Sequence, residues 1–282
     1  MTRSVTSRRN EVWGDPIAHS LSPVLHQAAY RALGLEWDYR AVKVSIEQLP
    51  DAFSTLPSSV RGLSLTMPLK EAILPLVADH RGAVDLLHAA NTVVQDDSGW
   101  WLDNTDWRGA FEVITRHGGL SGTPVWVVGA GATARAVLYA LAELAPSSVT
   151  LLVRNTERAL PSVVLARTLG LPCEAQELGE PAQKTPAWVI STLPGGVEVD
   201  LPGLPDIAGQ STLFDIAYSP WPSPLGTIWQ QAGSPVISGR EMLLYQAVAQ
   251  IRGFLHGDTS QELDHEHRVI DAMRSALDDV KE

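Results

Sequence analysis

Apolar residues along this chain gather in short runs that alternate between the period of a strand and the period of a helix, with polar, glycine- or proline-containing turns between them. The run Val125 to Val128 reads as a buried strand, the Ala-rich stretch after Gly131 as a helix, and Val149 to Val153 as the next strand. Ahead of these, the pattern predicts a strand at Asn10 to Gly14, a helix at Pro23 to Leu33, and a strand at Tyr39 to Val44. A helix at Ile46 to Thr55, a strand at Gly62 to Met67 and a helix beyond Lys70 follow. Ser22 before Pro23 reads as the N-cap of the first helix. Two strand-like pieces, Asn91 to Val94 and Trp100 to Leu102, flank the turn Asp96 to Gly99, and a helix starts near Trp107. At the far end, Glu241 to His256 and Gln261 to Leu277 read as two terminal helices, and Ser219 to Pro224 as a rigid proline-rich turn.

Alternation of this kind over 282 residues, with 45% hydrophobic content, predicts an α/β protein of two domains. A net charge of −11 argues against nucleic acid or an anionic membrane as partner, since such binding draws on broad basic surfaces. The single cysteine, Cys173, leaves no intramolecular disulfide and no cysteine-based zinc site, in keeping with a reducing cytoplasm. Thr2 to Asn10 carries three arginines with no apolar region behind them, and no stretch approaches a membrane span, so neither a signal peptide nor a transmembrane helix is expected.

The first chemistry lies at the junction of strand and Ala-rich helix. Gly129, Ala130, Gly131, Ala132, Thr133 and Ala134 stand where a dinucleotide pyrophosphate is cradled. Gly129 permits the tight turn, Gly131 leaves the pyrophosphate unobstructed, and small Ala134 lets the helix pack on the strand. NAD sites usually carry an acidic residue about 20 positions after the glycines. This chain has Arg154, Asn155, Thr156, Glu157 and Arg158 there, and two guanidinium groups one helical turn apart suit the 2′-phosphate of NADP.

Polar residues also cluster at the ends of apolar runs in the first domain. Ser20 and Ser22 sit in a strand-to-helix loop able to receive a small carboxylate, and Thr66 and Lys70 follow an apolar strand. Asn91 with Thr92, and Asn104 with Thr105 and Asp106, form two more such clusters, with helix capping as the plainer role for Asp106. The phrases HSLSP, LTMPLK, AANTV, DNTD, GAGATARA, FDIAYSPWPSPL and ISGREMLLYQA stand in the order and approximate spacing of the shikimate dehydrogenases. The chain resembles that family, its actinobacterial branch most, over roughly residues 12 to 255.

The resemblance implies a substrate domain at 1–106 completed by the helices at 239–282, and a Rossmann-type doubly wound NADP-binding domain at 107–238. It implies NADPH-dependent reduction of 3-dehydroshikimate to shikimate, on the route to chorismate and the aromatic amino acids, in a cytoplasmic monomer or homodimer. By the same resemblance Lys70 is the catalytic acid/base and Asp106 its partner at the reacting hydroxyl. Ser20 and Ser22 take the carboxylate with Tyr218 nearby, Thr66, Asn91 and Gln246 take the remaining ring contacts, and Ile216 and Gly239 lie along the cofactor. No metal is implied. Two other readings stay open: an NAD-using quinate/shikimate dehydrogenase, and a regulatory homologue that binds NADP without turnover.

The chain departs from the family pattern at four points. Ser64 stands where Asn is frequent, Val153 where many NADP users have Asn, Asn155 in place of Thr, and His88 in place of Gly. His265 and His267 are expected on a solvated helical face rather than in a metal site, and the tryptophans in packing positions.

Overall fold

The computed structural model describes residues 8–180 and 185–280; residues 2–7 of the basic start of the chain lie outside them. The chain divides into two units, one running to Thr105 and resuming at Gln246, the other spanning Asp106–Tyr245.

The first unit is built on six strands: β1 (Arg9–Gly14), β2 (Asp38–Lys43), β3 (Val60–Leu65), β4 (Asp79–His80), β5 (Thr92–Asp96) and β6 (Gly99–Asp103), in the order β2-β1-β3-β5-β6-β4. β1 pairs in parallel with β2 and β3, β5 runs antiparallel to both β3 and β6, and β4 pairs in parallel with β6, so the sheet is mixed. Its helices are α1 (Ser22–Ala32), α2 (Leu49–Ser54), α3 (Leu69–Ala72) and α4 (Val84–Leu87). The core under the sheet is drawn from Trp13, Leu49, Leu63, Leu65, Leu69 and Val93, among others.

Three helices differ from the pattern-based expectation. The first is α1, which opens with Ser22 inside it and Leu21 in the capping position, so Ser22 does not cap. The hydroxyl of Ser20 accepts the Ser22 N–H instead, at 3.3 Å. The second is α2, which begins at Leu49 because Gln48 Oε1 takes the Ser45 N–H, holding 45–48 as a turn. The third is α3, which stops after one turn and passes into a 3-10 turn at Leu74–Leu76, where Pro75 removes a backbone donor.

The second unit is an all-parallel sheet of β7 (Pro124–Val128), β8 (Ser148–Val153), β9 (Cys173–Glu177), β10 (Trp188–Ser191), β11 (Thr212–Asp215) and β12 (Val236–Ser238). The order β12-β11-β10-β7-β8-β9 reverses direction between β7 and β10, which is the doubly wound arrangement. Its helices are α5 (Asp106–Arg116), α6 (Ala132–Leu144), α7 (Thr156–Thr168), α8 (Leu204–Ala208) and α9 (Pro224–Gln231). The strands of such a sheet are covered on both faces and read as short apolar runs. Trp126, Leu152, Val189, Leu213 and Trp229 belong to one of its cores, and the Trp229 indole N–H donates to the Ser211 carbonyl at 3.0 Å.

α10 (Gly239–His256) gives its first turns to the second unit and the rest to the first, so the boundary falls at Tyr245 rather than at Ser238. The cause is local packing. A Cβ on Gly239 would stand 1.9 Å from the Ile216 carbonyl oxygen, and the Arg116 guanidinium lies 4.9 Å from the centre of the Tyr245 ring. α11 (Glu266–Asp278) packs on α1 through Val269, Met273 and Leu277. It starts at Glu266 rather than Gln261, and the Glu266 carboxylate accepts the Leu263 N–H at 3.0 Å. Among the described residues no helix is long and apolar enough to cross a membrane.

Candidate active site

In the first unit, backbone pairing brings the polar clusters of the sequence together. The Lys70 carbonyl accepts the Ala90 N–H at 2.8 Å, and the Leu65 N–H donates to the Asn91 carbonyl at 2.8 Å, which joins LTMPLK to AANTV. Lys70, second residue of α3, and Thr66 are half-buried; the Thr66 N–H donates to Trp13 and its carbonyl accepts the Leu69 N–H. Gly14 makes room for this loop, since a Cβ there would lie 2.4 Å from Thr66 Cγ2.

Asn91 is the hub of the cluster. It is 1% exposed, and its Oδ1 accepts the Thr105 N–H and the Thr92 hydroxyl, each at 2.7 Å. Its Nδ2 donates to Thr105 Oγ1 at 3.0 Å and to Gln246 Oε1 at 3.2 Å. Amide oxygen and nitrogen are nearly isosteric, so their placement follows from such a network. Asp103 accepts the Thr259 hydroxyl at 2.6 Å, and Asn104 Nδ2 donates to the Ala89 carbonyl at 2.9 Å, which fixes the DNTD segment. Asp106 is buried and is the first residue of α5. Ser20 is half-buried and Ser22 buried, at the start of α1.

Three residues at this cluster carry no motif in the sequence. The Tyr39 hydroxyl donates to Ser64 Oγ at 2.6 Å, the Ser64 hydroxyl donates to Gln250 Oε1 at 2.7 Å, and Gln250 Nε2 donates to the Asn91 carbonyl at 3.0 Å. Ser64, the departure from Asn, therefore turns its O–H into the fold. His26 stacks on Tyr39 with ring centres 3.9 Å apart, and burial pushes its pKa down to about 3, against an opposing side-chain hydrogen bond with Gln250. His88, the departure from Gly, sits at φ +48 as the C-cap of α4, the left-handed region that glycine enters most easily.

In the second unit a cavity of about 760 Å³ opens at the carboxyl ends of β7, β8 and β10, beside the reversal of strand order. Gly129, Ala130, Gly131, Arg154, Asn155 and Arg158 line it. Gly129 has φ +108, and a Cβ on it would lie 2.4 Å from Thr192 Oγ1, so the fold itself demands glycine there. Gly131 is different. Its φ is −81 and a Cβ on it would meet nothing within 4 Å, so the fold tolerates a side chain and the empty space is left for a ligand. Gly131 caps α6 without any side-chain hydrogen bond, which leaves the first N–H groups of Ala132, Thr133 and their neighbours for an anion. Ala134 is fully buried.

Arg154 and Arg158 are exposed at the cavity mouth. Asn155 caps α7, its Oδ1 accepting the Arg158 N–H at 2.9 Å. Sequence reading missed Leu178, Leu193, Val197 and Glu198, which also line the cavity, and Ser162, whose hydroxyl donates to the Ala130 carbonyl at 2.8 Å. The signal that could have found Leu193 was the short apolar run Trp188 to Ile190, read as a strand whose carboxyl end carries ligand contacts. Tyr218 and Ile216 are half-buried on the loop after β11. Asp215 at the base of that loop accepts the Ser223 hydroxyl and the Ala217 N–H; burial raises its pKa, and the hydrogen bonds oppose the rise.

The described residues hold no group of three or more His, Cys, Asp or Glu placed to bind a metal, and His265, at φ +52, precedes α11 with its ring 6.4 Å from that of His267.

A doubly wound unit with a glycine turn at the carboxyl ends of its strands and two arginines lining the same cavity, in one chain with a mixed-sheet unit that buries an amide and hydroxyl cluster, defines a dinucleotide-binding α/β protein of the dehydrogenase class. Comparison with known proteins makes this specific. Residues 12–93 match the family described as shikimate dehydrogenase substrate binding domain. An NADP(+) shikimate dehydrogenase of Methanothermobacter thermautotrophicus is 33% identical over 250 residues, covering 86% of this chain and 88% of that protein. The crystal structure of Mycobacterium tuberculosis shikimate dehydrogenase superimposes with a TM-score of 0.82 at 33% identity, covering 95% of this chain and 99% of that one. That of the Thermus thermophilus enzyme, in complex with shikimate, gives 0.78 at 30% identity over 96% and 99%. The chain belongs to the shikimate dehydrogenase family.

Proposed function

We propose that this protein catalyses the NADPH-dependent, reversible reduction of 3-dehydroshikimate to shikimate. The observation that carries the reading is the likeness, over most of the chain, to relatives named for this reaction. The open Gly131 turn with Arg154 and Arg158 beside it supports NADP as the dinucleotide. When bound, the cofactor supplies or accepts the hydride.

The chain's own residues then have the following work. Around the turn that Gly129 makes, backbone N–H groups from Ala130 to Thr133 would hold the pyrophosphate, and Arg154 and Arg158 would hold the 2′-phosphate by charge-assisted hydrogen bonds, with Asn155 fixing the turn between them. Ile216 and Gly239 shape the surface against which the nicotinamide lies. The Ser20 and Ser22 hydroxyls, helped by the N-terminus of α1 and by Tyr218, receive the substrate carboxylate. Thr66, Asn91 and Gln246 read the ring hydroxyls, so an analogue lacking one would leave a buried polar group unpaired. The Lys70 ammonium donates the proton that the carbonyl oxygen takes up as it becomes a hydroxyl, and in the reverse direction the neutral Lys70 amine takes that proton back; Asp106 accepts a hydrogen bond from that hydroxyl. We place the enzyme in the cytoplasm, as a monomer or homodimer acting on a small molecule.

The test is absorbance at about 340 nm during reaction of 3-dehydroshikimate with NADPH and with NADH, and of NADP+ with shikimate and with quinate. NADPH consumption with 3-dehydroshikimate is the expected result. NADP+ binding without turnover of any of these compounds would overturn it in favour of a regulatory homologue.

A further inference from the structure

We infer that Tyr39, Ser64 and Gln250 are positioning residues that set where the Asn91 and Gln246 amides stand, and thereby set the discrimination among ring hydroxyls. The inference rests on the reading of Asn91 and Gln246 as substrate contacts. The three residues form a chain of donors with one direction. Tyr39 gives its only hydroxyl proton to Ser64, Ser64 gives its own to Gln250 Oε1, and Gln250 is left with its Nε2 against the Asn91 carbonyl. Turning the Gln250 amide over would set oxygen against the Asn91 carbonyl oxygen, so one orientation survives.

All members are buried: Tyr39 and Gln250 are 1% exposed and Ser64 3%, so water does not substitute for a lost partner. The consequence reaches the site by two routes. The Asn91 carbonyl, held by Gln250 and by the Leu65 N–H, fixes the main chain from which the Asn91 side chain projects. Gln250 also lies one helical turn beyond Gln246 on α10, so anchoring it sets the depth at which Gln246 Oε1 meets Asn91 Nδ2. An asparagine at position 64, frequent in the family, would have to fit the space where the smaller hydroxyl now both accepts and donates.

The experiment is steady-state kinetics of Ser64→Ala, Gln250→Met, the double variant, Ser64→Thr and Tyr39→Phe, with shikimate and with an analogue lacking one ring hydroxyl. Ser64→Ala and Gln250→Met should each raise the shikimate KM about tenfold, with kcat changed less than about threefold and the NADP+ KM unchanged. The preference for shikimate over the analogue should shrink in both. The double variant should be no worse than Gln250→Met, because the link is already cut, and Ser64→Thr should restore the KM. Should the deletions fail to fold, Tyr39→Phe, which loses one O–H, should still raise the KM about threefold. Folded variants with unchanged KM and unchanged preference, or losses that add in the double variant, overturn the inference alone. A wild-type chain inert with shikimate overturns the proposed function and this inference with it.

Discussion

The two units meet their ligands with opposite materials. The first buries a dense set of polar side chains, among them Asn91, Thr92, Asn104, Thr105, Gln246 and Gln250, each engaged by another part of the same unit. The second has a largely apolar interior and a backbone turn at its cavity, with Arg154 and Arg158 exposed at the mouth. A pyrophosphate is a generic anion that a helix N-terminus receives without side chains, whereas a ring with several hydroxyls needs donors and acceptors in fixed places. Side-chain recognition thus requires a network to hold it, and backbone recognition requires only that one position stay empty.

Removing the reacting group of the first unit should give the largest effect. Lys70→Ala is expected to lower kcat about a thousandfold while the shikimate KM moves only severalfold, measured by initial rates. An unchanged kcat would take Lys70 out of the chemistry and leave the first unit a binding module.

The buried network should also carry a pH signature that the second unit's turn does not. His26 is depressed to about 3 from an ordinary value near 6.5, because burial disfavours its charged form. The unfolded chain therefore binds a proton first as pH falls, so the stability that neutral His26 contributes is whole above about pH 6.5 and drains away toward pH 3. Denaturant melts should show it as a slope of up to about 1.4 kcal/mol per pH unit that His26→Gln abolishes. An identical acid limb in the variant would show that His26 is protonated in the fold.

On the other side, Arg154→Ala with Arg158→Ala should weaken NADP+ by about a hundredfold and leave NAD+ binding within twofold, read by calorimetry. Gly131→Val should weaken both dinucleotides at least tenfold, about 1.4 kcal/mol, with a stability loss of about 1 kcal/mol at most from the poorer N-cap, since a Cβ there meets no protein atom. A larger loss of stability would mean the turn is glycine for the fold's sake. Asn155→Ala should cost about 1 kcal/mol of stability, as the loss of a helix cap does, and is the smallest effect.

How much of this the sequence disclosed also divides between the units. The segment β7, glycine turn, α6 and β8 was legible because a buried strand, a turn that only glycine makes and a small-residue helix leave separate marks within thirty or so residues. The later strands β10, β11 and β12 were not read. Trp188–Ser191 and Val236–Ser238 are too short to show a period, and what makes them strands is pairing with neighbours distant along the chain. In the first unit the motifs named Lys70, Asn91 and Gln246, but Ser64 and Gln250 are 186 positions apart and are joined only by folding. Ser22 failed as a cap because the helix starts one residue earlier and the Leu25 N–H goes to the Leu21 carbonyl, a choice that propensity alone does not decide. His88 has the left-handed backbone that the family's glycine would supply, a conformation that the residue type alone does not announce.

The most direct test of side-chain recognition in one unit and backbone recognition in the other is calorimetric titration of shikimate and NADP+, separately, into Asn91→Ala and Gly131→Val. Asn91→Ala should lose shikimate and keep NADP+, and Gly131→Val should lose NADP+ and keep shikimate. A variant that loses both ligands alike while its melting temperature holds would contradict the division of labour described here.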